Sequence, residues 1–186
     1  MCASRSPELA QLLERIRTAQ PCWGPVVLVA VDGPSGSGKS TLASELARSV
    51  PSSRVLSTDE FATWDEPVSW WPRLFDGVLV PLRAGRRGGY RPMRWTAAGP
   101  ALGDWVEVEV PRVLILEGVS CARRSIAPAL SVAVWVELDS PAERLARAVL
   151  RDGSATASEL RRWQRFERGW FAVDGTRLRA DVELPG

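Results

Sequence analysis

The run Gly33-Pro34-Ser35-Gly36-Ser37-Gly38-Lys39-Ser40 constrains this chain more than any other stretch, because it meets every fixed position of the pattern G-x-x-x-x-G-K-[ST]. A phosphate chain must meet several backbone N–H groups at once, so such a loop curls through glycines in conformations closed to other residues. The helix that follows points its positive end at the same anion. The context fits this demand. Val26-Val27-Leu28-Val29-Ala30-Val31 reads as a strand buried on both faces, and residues 40–50 carry helical spacing through Leu42, Leu46 and Val50. Gly33, Pro34, Ser35, Gly36, Ser37, Gly38, Lys39, Ser40 and Thr41 are therefore expected to hold the phosphates of ATP. Lys39 would reach the terminal phosphates, and the Ser40 hydroxyl would bind Mg²⁺.

The rest of the chain repeats the strand–helix alternation. Val55-Leu56-Ser57 and residues 113–116 and 132–138 read as strands, with a short apolar-periodic segment around Ile126 and Leu130. Ser140-Pro141-Ala142-Glu143 is a helix start, with serine as cap, proline at the first helical position and Glu143 returning to the cap. Helices over 141–151 and 156–170 and a final strand over 180–184 complete the pattern. This predicts an α/β fold in three layers, a doubly wound, mostly parallel sheet of the P-loop NTPase type. A single kinase-like domain spanning 1–186 is expected, with an N-terminal helix within residues 1–20. Residues 81–105, with five glycines and Arg83, Arg86, Arg87, Arg91 and Arg94, read as a mobile excursion on the substrate side. Residues 151–157 read as a shortened lid.

Composition excludes several chemistries. The chain has no histidine, so Ser-His-Asp triads, histidine bases and histidine-dependent zinc sites are out, and catalysis falls to carboxylates, lysine, arginine, hydroxyls and bound metal. A formal charge of +2 argues against nucleic acid or an anionic membrane as partner, and no apolar run is long enough to span a bilayer. Cys2, Cys22 and Cys121 lie far apart, which suits reduced thiols in a cytoplasmic protein. A homo-oligomer is compatible with all of this. No N-K-x-D base-reading signature occurs and the chain has one lysine, so a small-molecule kinase fits better than a switch GTPase.

A kinase must also align an acceptor hydroxyl and hold its metal. Asp59, after the second strand, would sit at the carboxyl end of a parallel sheet, where it can take the acceptor's proton or a water on Mg²⁺; a helix-capping aspartate is the structural alternative. Glu117 closes an apolar strand in the Walker-B manner and is a second candidate for the metal, against an exposed strand-end carboxylate. Arg144, Arg147 and Arg151 share a helix face; Arg147 and Arg151 are assigned to the nucleotide's phosphates. Nine tryptophans stand out. Trp64, Trp70 and Trp71 flank the expected acceptor site and can stack on a ring, with core packing as the plainer role, whereas Trp163, Phe166 and Trp170 have the spacing of packing residues.

Taken together, the loop 33–41, Asp59-Glu60-Phe61, Leu116-Glu117-Gly118, Arg144-Leu145-Ala146-Arg147 through Arg151-Asp152, and Ala180-Asp181-Val182 resemble the uridine kinase family, particularly its short bacterial members. The resemblance spans about residues 24–184. It implies phosphorylation of a 5′-hydroxyl on uridine or cytidine by ATP or GTP with Mg²⁺, with Asp59 as base. It also implies that Asp65, in Asp65-Glu66-Pro67, contacts the sugar hydroxyls in the manner of the family's Asp-His-Pro. The departures are specific. Glu66 replaces that histidine, Met93-Arg94-Trp95 stands where relatives show Tyr-Asp-Trp, and Gly153-Ser154-Ala155-Thr156 replaces an Arg-Gly-Arg lid piece. Arg94 thus brings positive charge to the acceptor side. Another metabolite hydroxyl (of a sugar or a pantothenate-like compound) and a nucleotide-binding regulator with little turnover are the alternative functions.

Overall fold

The fold is seen in a computed structural model that describes residues 7–96 and 99–186. Five parallel strands form the central sheet in the order β2-β7-β1-β8-β9: β1 Val27–Asp32, β2 Ser53–Ser57, β7 Val113–Glu117, β8 Val132–Glu137 and β9 Val182–Pro185. Every residue of β1 and β7 is buried, which explains their unbroken apolar runs. Successive side chains still alternate between faces. Val27, Val29 and Val31 join Val113, Ile115, Val132 and Val134 in a core under α1 (Pro7–Thr18) and α2 (Lys39–Ser49). Leu28, Ala30, Leu114 and Leu116 face a second core with Phe61, Trp70, Leu74, Val78 and Leu82. The sheet is thus covered on both faces, giving the three layers expected.

Boundaries differ from the sequence reading by one to four residues, the scale on which helix and strand ends fray. The helix expected over 156–170 is α6, Ala157–Asp174, and α5 covers Pro141–Asp152. The final strand starts at Val182, and the segment around Ile126 is a 3-10 turn, Ala127–Ala129. The first helix begins at Pro7; Cys2 and Ser6 lie outside the described residues. No helix among the described residues is long and apolar enough to cross a membrane.

The stretch between the second strand and β7 carries nearly half of the second core. It runs as α3 (Trp71–Leu74), a π-helical turn (Phe75–Leu79) and α4 (Val80–Arg83). The excursion expected over 81–105 opens with α4 and then forms short antiparallel pieces: β3 (Gly88–Tyr90), which pairs with β6 (Val106–Val108), and the hairpin of β4 (Met93–Thr96) with β5 (Gly99–Leu102). The two ribbons stand outside the parallel sheet, on the side of its carboxyl ends, because β4 packs against the turn Thr58–Glu60 that leaves β2.

Candidate active site

Strand register brings three strand ends together, two of them acidic. Val31 and Ser57 both pair with Glu117, so Asp32, Ser57 and Glu117 end neighbouring strands at one edge, where the phosphate loop also begins. The loop turns through Gly33, Gly36 (φ +78°) and Gly38 (φ +99°). Gly36 is required twice over. A Cβ there would be strained by the positive φ and would lie 2.3 Å from the Arg144 carbonyl oxygen at the start of α5.

Among the described residues, the amides of Gly36, Gly38, Lys39, Ser40 and Thr41 have no backbone or side-chain acceptor; Leu42 donates the first helical bond, to Gly38 at 3.1 Å. Orphan N–H groups at a helix start, converging with glycine turns, are what a phosphate chain fits. The Lys39 ammonium donates to the Pro34 carbonyl at 2.9 Å, folded over the loop it would serve.

The carboxylates fit a metal that is shared with phosphates. Ser40 Oγ donates to Glu117 Oε2 at 3.1 Å. Ser57 Oγ caps the turn that leaves β2, accepting from the Asp59 amide at 3.3 Å. Burial pushes the Glu117 carboxyl upward, and the nearby charge of Asp59 adds to this, while Ser57, Lys39 and Ser40 pull it down. Asp59 itself is exposed. No cluster of three acidic, histidine or cysteine side chains occurs among the described residues. That composition suits Mg²⁺, which takes one or two protein oxygens and completes its shell with phosphate and water.

The arginines of α5 separate into different environments. Arg144 is nearly buried, donating to the Leu138 carbonyl and lying 3.7 Å from Glu137. Arg147 pairs with Glu143 at 2.9 Å and lines a cavity of about 320 Å³ with Gly38, Thr41, Leu42, Leu184 and Pro185. Arg151 is held by Asp152 through two bonds of 2.7 Å and feels the charges of Asp59 and Glu117.

On the acceptor side, Arg162 of α6 donates to the Trp64 carbonyl at 2.9 Å and to Asp65 Oδ1 at 3.1 Å. Trp64 meets Trp163 edge-on with ring centroids 5.8 Å apart. Trp64, Asp65, Pro67, Arg162, Trp163 and Phe166 line a second cavity of about 330 Å³. Arg94 does not join this group. It sits 3.6 Å from Glu60, which also accepts a hydrogen bond from the Tyr90 hydroxyl. The expected substrate residues therefore fall into two groups, one under α6 and one under the β4 hairpin.

Four further residues shape the site. Asp32 is wholly buried; its Oδ1 accepts from the amides of Gly33 (2.7 Å) and Ser120 (3.0 Å), and Oδ2 from Ala122 (2.8 Å). Burial still raises its pKa to about 6. Asp32, like Glu117, is a charge closing an apolar strand, and that is its signal in the sequence. Ser57 closes the second strand without a charge to mark it. Arg123, 8% exposed, lies with its guanidinium 4.5 to 5.2 Å from the rings of Trp70, Trp71 and Trp170, and burial lowers its pKa to about 10. Two of the tryptophans suggested as stacking surfaces, Trp70 and Trp71, thus hold the protein's own cation. Glu167 of α6, 1% exposed, accepts from the Ser35 amide (3.2 and 3.0 Å) and from Ser35 Oγ (2.7 Å). Neither Arg123 nor Glu167 carries a sequence signal, since each sits in an arginine- or glutamate-containing stretch typical of a surface.

No protein-family model matches the chain, and no curated protein matches it. Solved structures match along almost its whole length. A possible uridine kinase from Bacillus stearothermophilus superposes with a TM-score of 0.66 at 19% identity, over 95% of this chain and 97% of the other. A provisionally assigned fructose transport system kinase from a Silicibacter species gives 0.64 at 26% identity, over 95% and 97%. A D-glycerate 3-kinase from Cryptococcus neoformans gives 0.56 at 13% identity, over 87% and 83%. The chain has the three-layer α/β fold of uridine kinase-like and related P-loop kinases.

Proposed function

We propose that this chain is a single-domain P-loop kinase that transfers a phosphoryl group from ATP to a small-molecule hydroxyl, with a pyrimidine nucleoside as the acceptor. The observation that supports it most is the set of acceptor-free amides at Gly36 and Gly38 through Thr41, beside Lys39 and within reach of two strand-end carboxylates. The loop binds the phosphates, and Lys39 exchanges the Pro34 carbonyl for phosphate oxygens. Ser40, Glu117 and Asp59 would hold Mg²⁺, which supplies charge neutralisation on the phosphate oxygens. Asp59, exposed at the end of its turn, takes the proton of the attacking hydroxyl. Arg151, close to Asp59 and Glu117 in charge, steadies the transferring group, and Arg147 faces the nucleoside part of ATP from the cavity beside α2. Trp64 and Asp65, at the cavity under α6, contact the acceptor, and residues 151–157 act as a short lid.

The test is acceptor-dependent ADP release by the wild type and by Asp59→Asn. Uridine or cytidine should support turnover, with kcat falling about 10²- to 10⁴-fold in the variant at unchanged ATP affinity. Equal turnover by both proteins would remove Asp59 from the mechanism. A second reading, an anionic acceptor, is favoured by Arg94, whose guanidinium stands beside Glu60, next in sequence to Asp59. A panel of sugars and hydroxy acids in the same assay separates the two; a hydroxy acid outcompeting uridine would select the second. Tight ATP binding with no transfer to any acceptor would select a regulator.

A further inference from the structure

Glu167 is buried where α6 meets the phosphate loop, and its carboxylate spends both oxygens on one residue. The Ser35 amide reaches Oε1 and Oε2, and the Ser35 hydroxyl reaches Oε2. Ser35 differs from the residues that follow it: its amide has an acceptor, whereas those of Gly36 and Gly38 through Thr41 have none. On the opposite side, Gly36 leaves room for the Arg144 carbonyl of α5. The loop is thereby gripped at consecutive residues by the two helices that flank residues 153–156. One turn earlier on the same face of α6 stands Trp163, against Trp64, and its neighbour Arg162 holds Trp64 and Asp65.

We propose that Glu167 is a positioning residue for the nucleotide: it fixes the phosphate loop in its binding shape through Ser35 and ties that shape to the helix that also carries the acceptor-side wall. The inference rests on the kinase reading of the loop. Two donors of one loop residue, the amide shared between both oxygens and the hydroxyl on one, are a strong restraint when held by a buried carboxylate. Burial raises the pKa of Glu167, and Ser35, Lys39 and Arg144 oppose that rise.

A bare charge and a positioning role predict opposite results, which makes the substitution Glu167→Gln decisive. A negative charge beside a triphosphate repels it, so a purely electrostatic role predicts tighter ATP binding once the charge is gone. The positioning role predicts weaker binding, because the glutamine amide turns a donor toward a donor on Ser35. Calorimetry with a non-hydrolysable ATP analogue and Mg²⁺ should show about tenfold weaker binding in Glu167→Gln and about threefold in Ser35→Ala. The double variant should be no weaker than Glu167→Gln alone, the signature of one shared contact. In steady state the effect should fall on the KM for ATP, with the acceptor KM unchanged within about twofold. Hydrogen exchange in the nucleotide-free protein should show faster exchange at the Ser35 amide of Glu167→Gln. Lys39→Ala is the control. If that variant loses binding while Glu167→Gln binds as well as or better than wild type, the positioning role is wrong and the kinase reading stands. If the wild type binds no nucleotide, both fall. Should Glu167→Gln fail to fold, Ser35→Ala decides alone: unchanged affinity overturns the proposal.

Discussion

Asp32 offers a test of how the phosphate loop is anchored that needs no nucleotide. Its carboxyl titrates at about 6 in the folded protein against an ordinary 3.8, because complete burial outweighs three amide donors and the charge of Lys39. Between those values the folded chain keeps a proton that the unfolded chain has released, so this group makes the protein more stable as pH falls. Its contribution is complete below 3.8 and is lost as pH rises through 6. At about 1.4 kcal/mol per pH unit, the whole interval is worth about 3 kcal/mol, of which about 1.4 kcal/mol appears between about pH 7.5 and about pH 5. Asp32→Asn removes the titration whatever it does to the baseline. Urea unfolding of both proteins at the two pH values should therefore show the wild type gaining about 1.4 kcal/mol relative to the variant. Glu117 and Glu167, also raised by burial, act in both proteins and cancel in the difference. Parallel pH dependences, within about 0.3 kcal/mol, would refute the reasoning, since a carboxyl that does not titrate in this window is not desolvated as the fold implies.

Three further outcomes follow from the geometry. Gly36→Ala, strained at φ +78° and driven against the Arg144 carbonyl, should lose about 2 to 4 kcal/mol of stability by urea unfolding and bind ATP at least tenfold more weakly. Arg123→Leu abandons donors to Ser120 O, Ser120 Oγ and Val68 O and empties the tryptophan cage; a stability loss of about 2 to 4 kcal/mol and a red-shifted tryptophan emission are expected. Chelation by EDTA should abolish phosphoryl transfer but leave the melting temperature of the nucleotide-free protein within about 1 °C, because no three-ligand metal cluster is present among the described residues to be dismantled.

The layers and the loop were legible in neighbouring residues. Runs such as Val27 to Asp32 and Val113 to Glu117 read as strands covered on both faces, and glycines at 33, 36 and 38 before Lys39 permit the positive φ angles that the loop adopts. These are local properties. The helix expected over 156–170 was also legible, though not what it is for. Tertiary structure alone decided that Glu167 turns inward to Ser35, 132 positions away. It alone placed Arg123 among three tryptophans and separated Arg94 from Asp65. A charged side chain on an amphipathic helix reads as solvated until the opposing surface is known, because the cost of burying it is met only by partners that the fold brings from elsewhere in the chain.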